Sequence, residues 1–107
     1  MRRCSHSRKN ELIFTIDGRE ILTSNDFHTK LKACSAVPDF YGQNLDALSD
    51  TLFGLVERPF MIVWTSASVS RANLGGEFNK IIEIMAEAAK HDEEMGLEER
   101  FEFELVD

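Results

Sequence analysis

Cysteine is scarce. Cys4 and Cys34 are the only two, too few for a disulfide framework, and neither stands at a metal-ligand spacing. The three histidines, His6, His28 and His91, are scattered, so no metal site and no cofactor are expected. Reduced thiols are the expected state, with a Cys4–Cys34 bond left open. No apolar run approaches the length of a membrane span. The basic start, Met1-Arg2-Arg3-Cys4-Ser5-His6-Ser7-Arg8-Lys9-Asn10, carries the charge of a signal peptide. No apolar stretch follows it before Leu12–Ile16, so no secretion signal is read and a cytoplasmic location is expected. Gly75-Gly76 is not followed by the lysine and hydroxyl residue of a phosphate-binding loop. There is neither an internal repeat nor a low-complexity segment.

Positive charge is also short. Against 19 Asp and Glu stand 12 Lys and Arg, a net charge of −7. Four of the basic residues, Arg2, Arg3, Arg8 and Lys9, fall in residues 1–10, where there is no acid, so the remaining 97 residues hold a net −11. A field of that sign repels nucleic acid and membrane surfaces and attracts cationic partners. The plainest use of such a charge is solubility.

With 107 residues one domain is expected: a flexible basic arm over 1–10, then a single domain over 11–107. Leu12–Ile16 is β-rich and stops at Asp17-Gly18, a turn signal. Thr23-Ser24-Asn25-Asp26 offers cap residues, and Phe27, Leu31 and Cys34 recur at helical spacing until Pro38 closes the segment. Asn44 caps a second helix over about 45–56, with Leu45, Leu48, Leu52 and Leu55 at helix period and Pro59 beyond it. Phe60–Trp64 reads as a buried strand, with Trp64 in the core. Residues 65–76 read as a loop with room for one helical turn. Phe78, Ile81, Ile82, Met85, Ala88 and Ala89 draw an amphipathic helix over about 77–91, and residues 91–100 an acidic connector. Phe101–Val106 alternates with period two, a strand with one face in water. Helical crossovers favour parallel strands, so the expected fold is α/β: two layers, a three-stranded parallel sheet with helices packed on one face.

Successive residues of a helix turn by about 100°. On the helix 45–56 that places Asp46 and Asp50 nearly opposite the leucines, and Glu57 would continue their row. Like charges at i and i+4 destabilise a helix by roughly 0.2–0.5 kcal/mol. The dipole compensates Asp46 in the first turn more than Asp50. No basic side chain on this helix neutralises them; Arg58 is the first, beyond its end. Phe40 and Tyr41 precede the helix as half-exposed aromatics, and Gly42 allows close backbone approach. Acids for charge, aromatics for area and a glycine for access suit a surface that enters a cationic cleft. On the residues alone, the aromatics covering the core and the acids simply solvated is the reading slightly favoured, with the binding surface left open beside it. His28 reads as a structural histidine.

The run Pro38-Asp39-Phe40-Tyr41-Gly42-Gln43-Asn44-Leu45-Asp46-Ala47-Leu48-Ser49-Asp50 resembles the signature of the barstar family. The likeness continues through Thr51–Pro59 to Trp64 and, more weakly, along the helix 77–91. The resemblance implies a barstar-like fold and a proteinaceous ribonuclease inhibitor, not an enzyme. Such an inhibitor would guard against the cell's own secreted ribonuclease or, as an immunity protein, against a delivered toxin. It implies that Phe40, Tyr41, Gly42, Asn44, Leu45, Asp46, Ser49 and Asp50 meet the basic ribonuclease in a 1:1 complex. Asp50 would mimic a substrate phosphate, Asp46 would meet a basic group at the rim, and Glu87 aligns with a family acid on the last long helix. Phe40 stands where the family has a tyrosine, and Ser49 and Leu55 where it has large aromatics, which alters the contact shape and points to a different nuclease.

Two other functions compete. An enzyme or metal site built on Asp46 and Asp50 lacks further oxygen ligands and any nucleophile–base pair. A barstar-fold module binding a basic non-nuclease partner would use the same acidic surface.

Overall fold

The computed structural model describes residues 4–7 and 11–107. The elements are β1 (Cys4–Ser7), β2 (Glu11–Asp17), a 3-10 turn (Gly18–Glu20), α1 (Ser24–Lys32) and α2 (Leu45–Asp50), which runs into a π-helical turn (Thr51–Leu55). Then come β3 (Phe60–Thr65), α3 (Ala67–Leu74), α4 (Gly76–Glu94) and β4 (Phe101–Leu105). The sheet order is β1-β2-β3-β4. β2, β3 and β4 are parallel, as the helical crossovers require, in the register Phe14↔Ile62↔Phe103 and Ile16↔Trp64↔Leu105. β1 adds a fourth strand, antiparallel to β2 at the edge. Residues 4–7 of the expected arm are therefore part of the sheet, while 1–3 and 8–10 lie outside the described residues.

Strand alternation sorts the two faces. Phe14, Ile16, Phe60, Ile62, Trp64 and Phe101 are buried beneath the helices, while Thr15, Glu102 and Glu104 on the other face are exposed. The core is tied by aromatic contacts. Phe27 of α1 stacks on Trp64 of β3 with ring centroids 5.0 Å apart, and Phe78 of α4 meets the same indole edge-on at 5.2 Å.

α1 begins where the sequence supplies a reciprocal cap. Thr23 Oγ1 accepts from the Asp26 N–H, and the Asp26 carboxylate accepts from the Thr23 and Leu22 N–H groups. β2 ends at Gly18 for a steric reason. A Cβ there would lie 2.4 Å from the Thr65 and Ser66 carbonyl oxygens, so only glycine lets the turn close on the end of β3.

Three expectations need correction. Residues 67–74 form a two-turn helix, not a loop. Ser70 explains its docking: its hydroxyl donates to Gly18 O and accepts from Trp64 Nε1, both at 2.9 Å. The long helix starts at Gly76 and runs to Glu94, ending at Gly96 with φ +71°, so Asp92–Glu94 are helical. Leu55, placed with the core leucines by period, is 46% exposed. The π turn carries more residues per turn than an α-helix and rotates Leu55 out of the row.

Candidate functional site

The loop from Pro38 and the helix α2 form one continuous ridge. Its two aromatics part ways. Phe40 is 76% exposed, whereas Tyr41 is 4% exposed, which corrects the expectation that both are half-exposed contact residues. Tyr41 is held inward because its hydroxyl lies 2.6 Å from Nδ1 of buried His28. Burial pushes the Tyr41 phenol above its ordinary value and the His28 imidazole below its own, although nearby Glu77 acts in the opposite sense on His28. Both rings stay neutral and satisfy each other. Tyr41 therefore anchors the loop from beneath and leaves Phe40 outward.

Gly42 is exposed and tightly seated, since a Cβ there would sit 3.2 Å from that of Ala47. Gln43 takes a left-handed backbone, φ +57°, which turns the chain into extended Asn44. Asn44 is the N-cap, as its residue type and place require. Its Oδ1 accepts from the Ala47 N–H at 2.8 Å. Leu45 is half-buried against the core, Leu48 fully buried and Ser49 half-buried.

Asp46 and Asp50 are exposed. Among the described residues neither joins an ion pair, whereas Asp17, Glu20 and Asp92 are each paired, with Arg19, Lys30 and Arg58. The Arg19 partnership holds the Asp17 carboxyl down to about 2. The acids of α2 thus face water as a pair one turn apart, with no cation among the described residues paired to them.

Glu87 is exposed on α4. It stands one turn before His91, on the same helix face, and the His91 ring meets Phe53 of the π turn edge-on at 5.3 Å. The end of α2 therefore approaches the face of α4 that carries Glu87. Beside the first turn of α2 lies a shallow groove of about 590 Å³, lined by Ser24, Asn25, His28, Gln43, Asp46 and Glu77 among others. No group of three or more His, Cys, Asp or Glu among the described residues is placed to hold a metal ion. No described helix is long and apolar enough to cross a membrane.

The family profile described as "Barstar (barnase inhibitor)" matches residues 11–105. The chain belongs to the barstar family. A Bacillus subtilis (strain 168) protein named "Putative ribonuclease inhibitor YrdF" is 38% identical over 73 residues, which cover 68% of this chain and 80% of that protein. Membership in the barstar family and this relative's name together support a ribonuclease-inhibitor role and point to a non-catalytic protein.

Helical period missed Phe53, 37% exposed, and put Leu55 with the core leucines, because it carries no mark of a π turn; only the family resemblance placed Leu55 at the contact surface. It also missed Asp92, hidden in an acidic run but buried against Arg58. Its signal was weak: one acid among several at the position where a continued 77–91 pattern would face inward.

Proposed function

We propose that this barstar-family chain inhibits a ribonuclease by inserting the Phe40–Asp50 ridge into the enzyme's basic active site. Asp50 stands in for a substrate phosphate, Asp46 meets a cation at the rim, and Phe40 and Gly42 line the contact. Glu87 adds a third carboxylate from α4. The observation that carries this reading is that Asp46 and Asp50 face solvent on a rigidly capped helix, without an ion pair among the described residues. Two like charges one turn apart on a helix cost the free protein stability, and a cationic partner reverses that cost. The complex is 1:1, and the inhibitor works in the cytoplasm against the cell's own ribonuclease or a delivered ribonuclease toxin. Electrostatic steering makes association fast and salt-sensitive.

The test captures partners from cell extract and culture medium on tagged wild-type and Asp50→Ala chains, then assays the eluted proteins for RNA cleavage. The expected result is an RNA-cleaving protein retained at one-to-one stoichiometry by the wild type and lost from Asp50→Ala. Recovery of a basic protein with no RNase activity would replace inhibition with the interaction-module reading.

A further inference from the structure

The docking ridge does not end at Asp50. In the turn Thr51–Leu55 the Val56 N–H donates to Thr51 O at 3.0 Å, five residues back. An α-helix would have given that donor to Leu52 O. The wider turn has two consequences. It points Phe53, Gly54 and Leu55 to solvent beside Asp50, and it leaves the Leu52 carbonyl without its helical donor. Arg58 fills the gap. Its Nη2 donates to Leu52 O and its Nη1 to Val56 O at 2.7 Å. Its Nε donates to Asp92 Oδ2 at 2.8 Å, and the same carboxylate oxygen accepts from the Phe101 N–H at 2.8 Å. The side chains of Arg58 and Asp92 are 14% and 2% exposed.

We propose that Arg58, oriented by Asp92, is a positioning residue that holds the π turn and so fixes Phe53 and Leu55 outward beside Asp50 as part of the inhibitory surface. The forked guanidinium suits the task, because one planar group reaches two carbonyls and a carboxylate at once. Holding the surface in its bound shape before encounter lowers the ordering cost of association. The partner that fits has an apolar rim next to its basic cleft, taking Phe53 and Leu55 while the cleft takes Asp50. This inference rests on the docking reading above, and its test separates the two.

The full-length wild type is compared with Arg58→Lys and Arg58→Met by amide exchange and by the NOE between the Phe53 and His91 rings. Lysine keeps a cation for Asp92 but cannot fork to both carbonyls. In each variant Val56 N–H exchange accelerates by at least about tenfold, the scale of a lost hydrogen bond to a charged group. The Phe53–His91 NOE weakens, and in Arg58→Lys, which keeps a cation for Asp92, the β3 amides keep wild-type protection. Unchanged Val56 exchange and NOE in Arg58→Met overturn the proposal, and so does loss of protection spread evenly over β3 in Arg58→Lys. With the ribonuclease recovered by the wild-type chain as probe, Arg58→Lys dissociates at least about tenfold faster. Its association rate holds, because Asp46 and Asp50 are intact; unchanged dissociation overturns the proposal. If the wild type retains no RNA-cleaving protein, the docking reading fails while the exchange and NOE data still decide the role of Arg58.

Discussion

The Tyr41 hydroxyl and His28 Nδ1 meet at 2.6 Å inside the protein, so the loop that presents Phe40 is fastened from below to α1. Tyr41→Phe removes the hydroxyl and leaves a buried imidazole nitrogen unpaired, at a cost of about 1–3 kcal/mol. Thermal unfolding should show the loss. An unchanged midpoint would mean that the pair does not hold the loop.

The burial of His28 sets a pH dependence. Burial holds His28 below its ordinary 6.5, so the unfolded chain takes up a proton more readily than the folded one. The stability this group contributes is present above about 6.5 and is lost as pH falls through the lower folded value. Denaturant titrations between neutral and mildly acidic pH should show stability falling with pH, and His28→Gln should flatten that slope.

Asp50→Ala separates binding from folding. Its carboxylate is exposed and unpaired among the described residues, so stability should stay within about 0.5 kcal/mol of wild type. Inhibition of the captured ribonuclease should weaken by at least about 100-fold, the loss typical of a dominant charged contact. Asp46→Ala should chiefly slow association, and added salt should shrink its effect. A large drop in the unfolding midpoint of Asp50→Ala would show that the residue holds the fold instead.

The sequence displays what depends on local pattern and hides what depends on distant partners. Asn44 as cap, Asp46 and Asp50 on the polar side, and Phe14, Trp64 and Phe101 on one sheet face all follow from residue type and period. Tyr41 was misread because nothing near it in sequence announces His28, thirteen positions back. Residues 67–74 lack an acid in the first turn and a side-chain cap, so propensity argued for a loop and packing of Ala67 and Ser70 overrode it. Asp92 looked solvated because its partner, Arg58, is 34 positions away.

That partnership predicts acid sensitivity. Burial pushes the Asp92 carboxyl up, but hydrogen bonds from Arg58 and the Phe101 N–H outweigh it and hold the group below its ordinary 3.8. Its stabilisation is complete above about 3.8 and is lost as pH falls through the lower folded value. Asp92→Ala strands the buried Arg58 guanidinium and should cost about 3–5 kcal/mol at neutral pH. The variant should also lose the acid-dependent part of unfolding that Asp92 supplies. Wild-type stability in Asp92→Ala would show that water or another group replaces the carboxylate.

The last prediction uses Trp64, the only tryptophan, as its own reporter. Its indole N–H donates to the Ser70 hydroxyl, which in turn donates to Gly18 O. Ser70→Ala leaves both the indole donor and the Gly18 carbonyl buried without this partner, at about 1–3 kcal/mol. Gly18→Ala is worse, because its methyl would overlap two backbone oxygens that no rotamer change can move. Both variants should therefore lower the unfolding midpoint followed by Trp64 fluorescence, with Gly18→Ala the lower of the two. The reverse order would mean that the turn after β2 yields more easily than the hydroxyl relay, and that β2 and β3 are not locked together at that end.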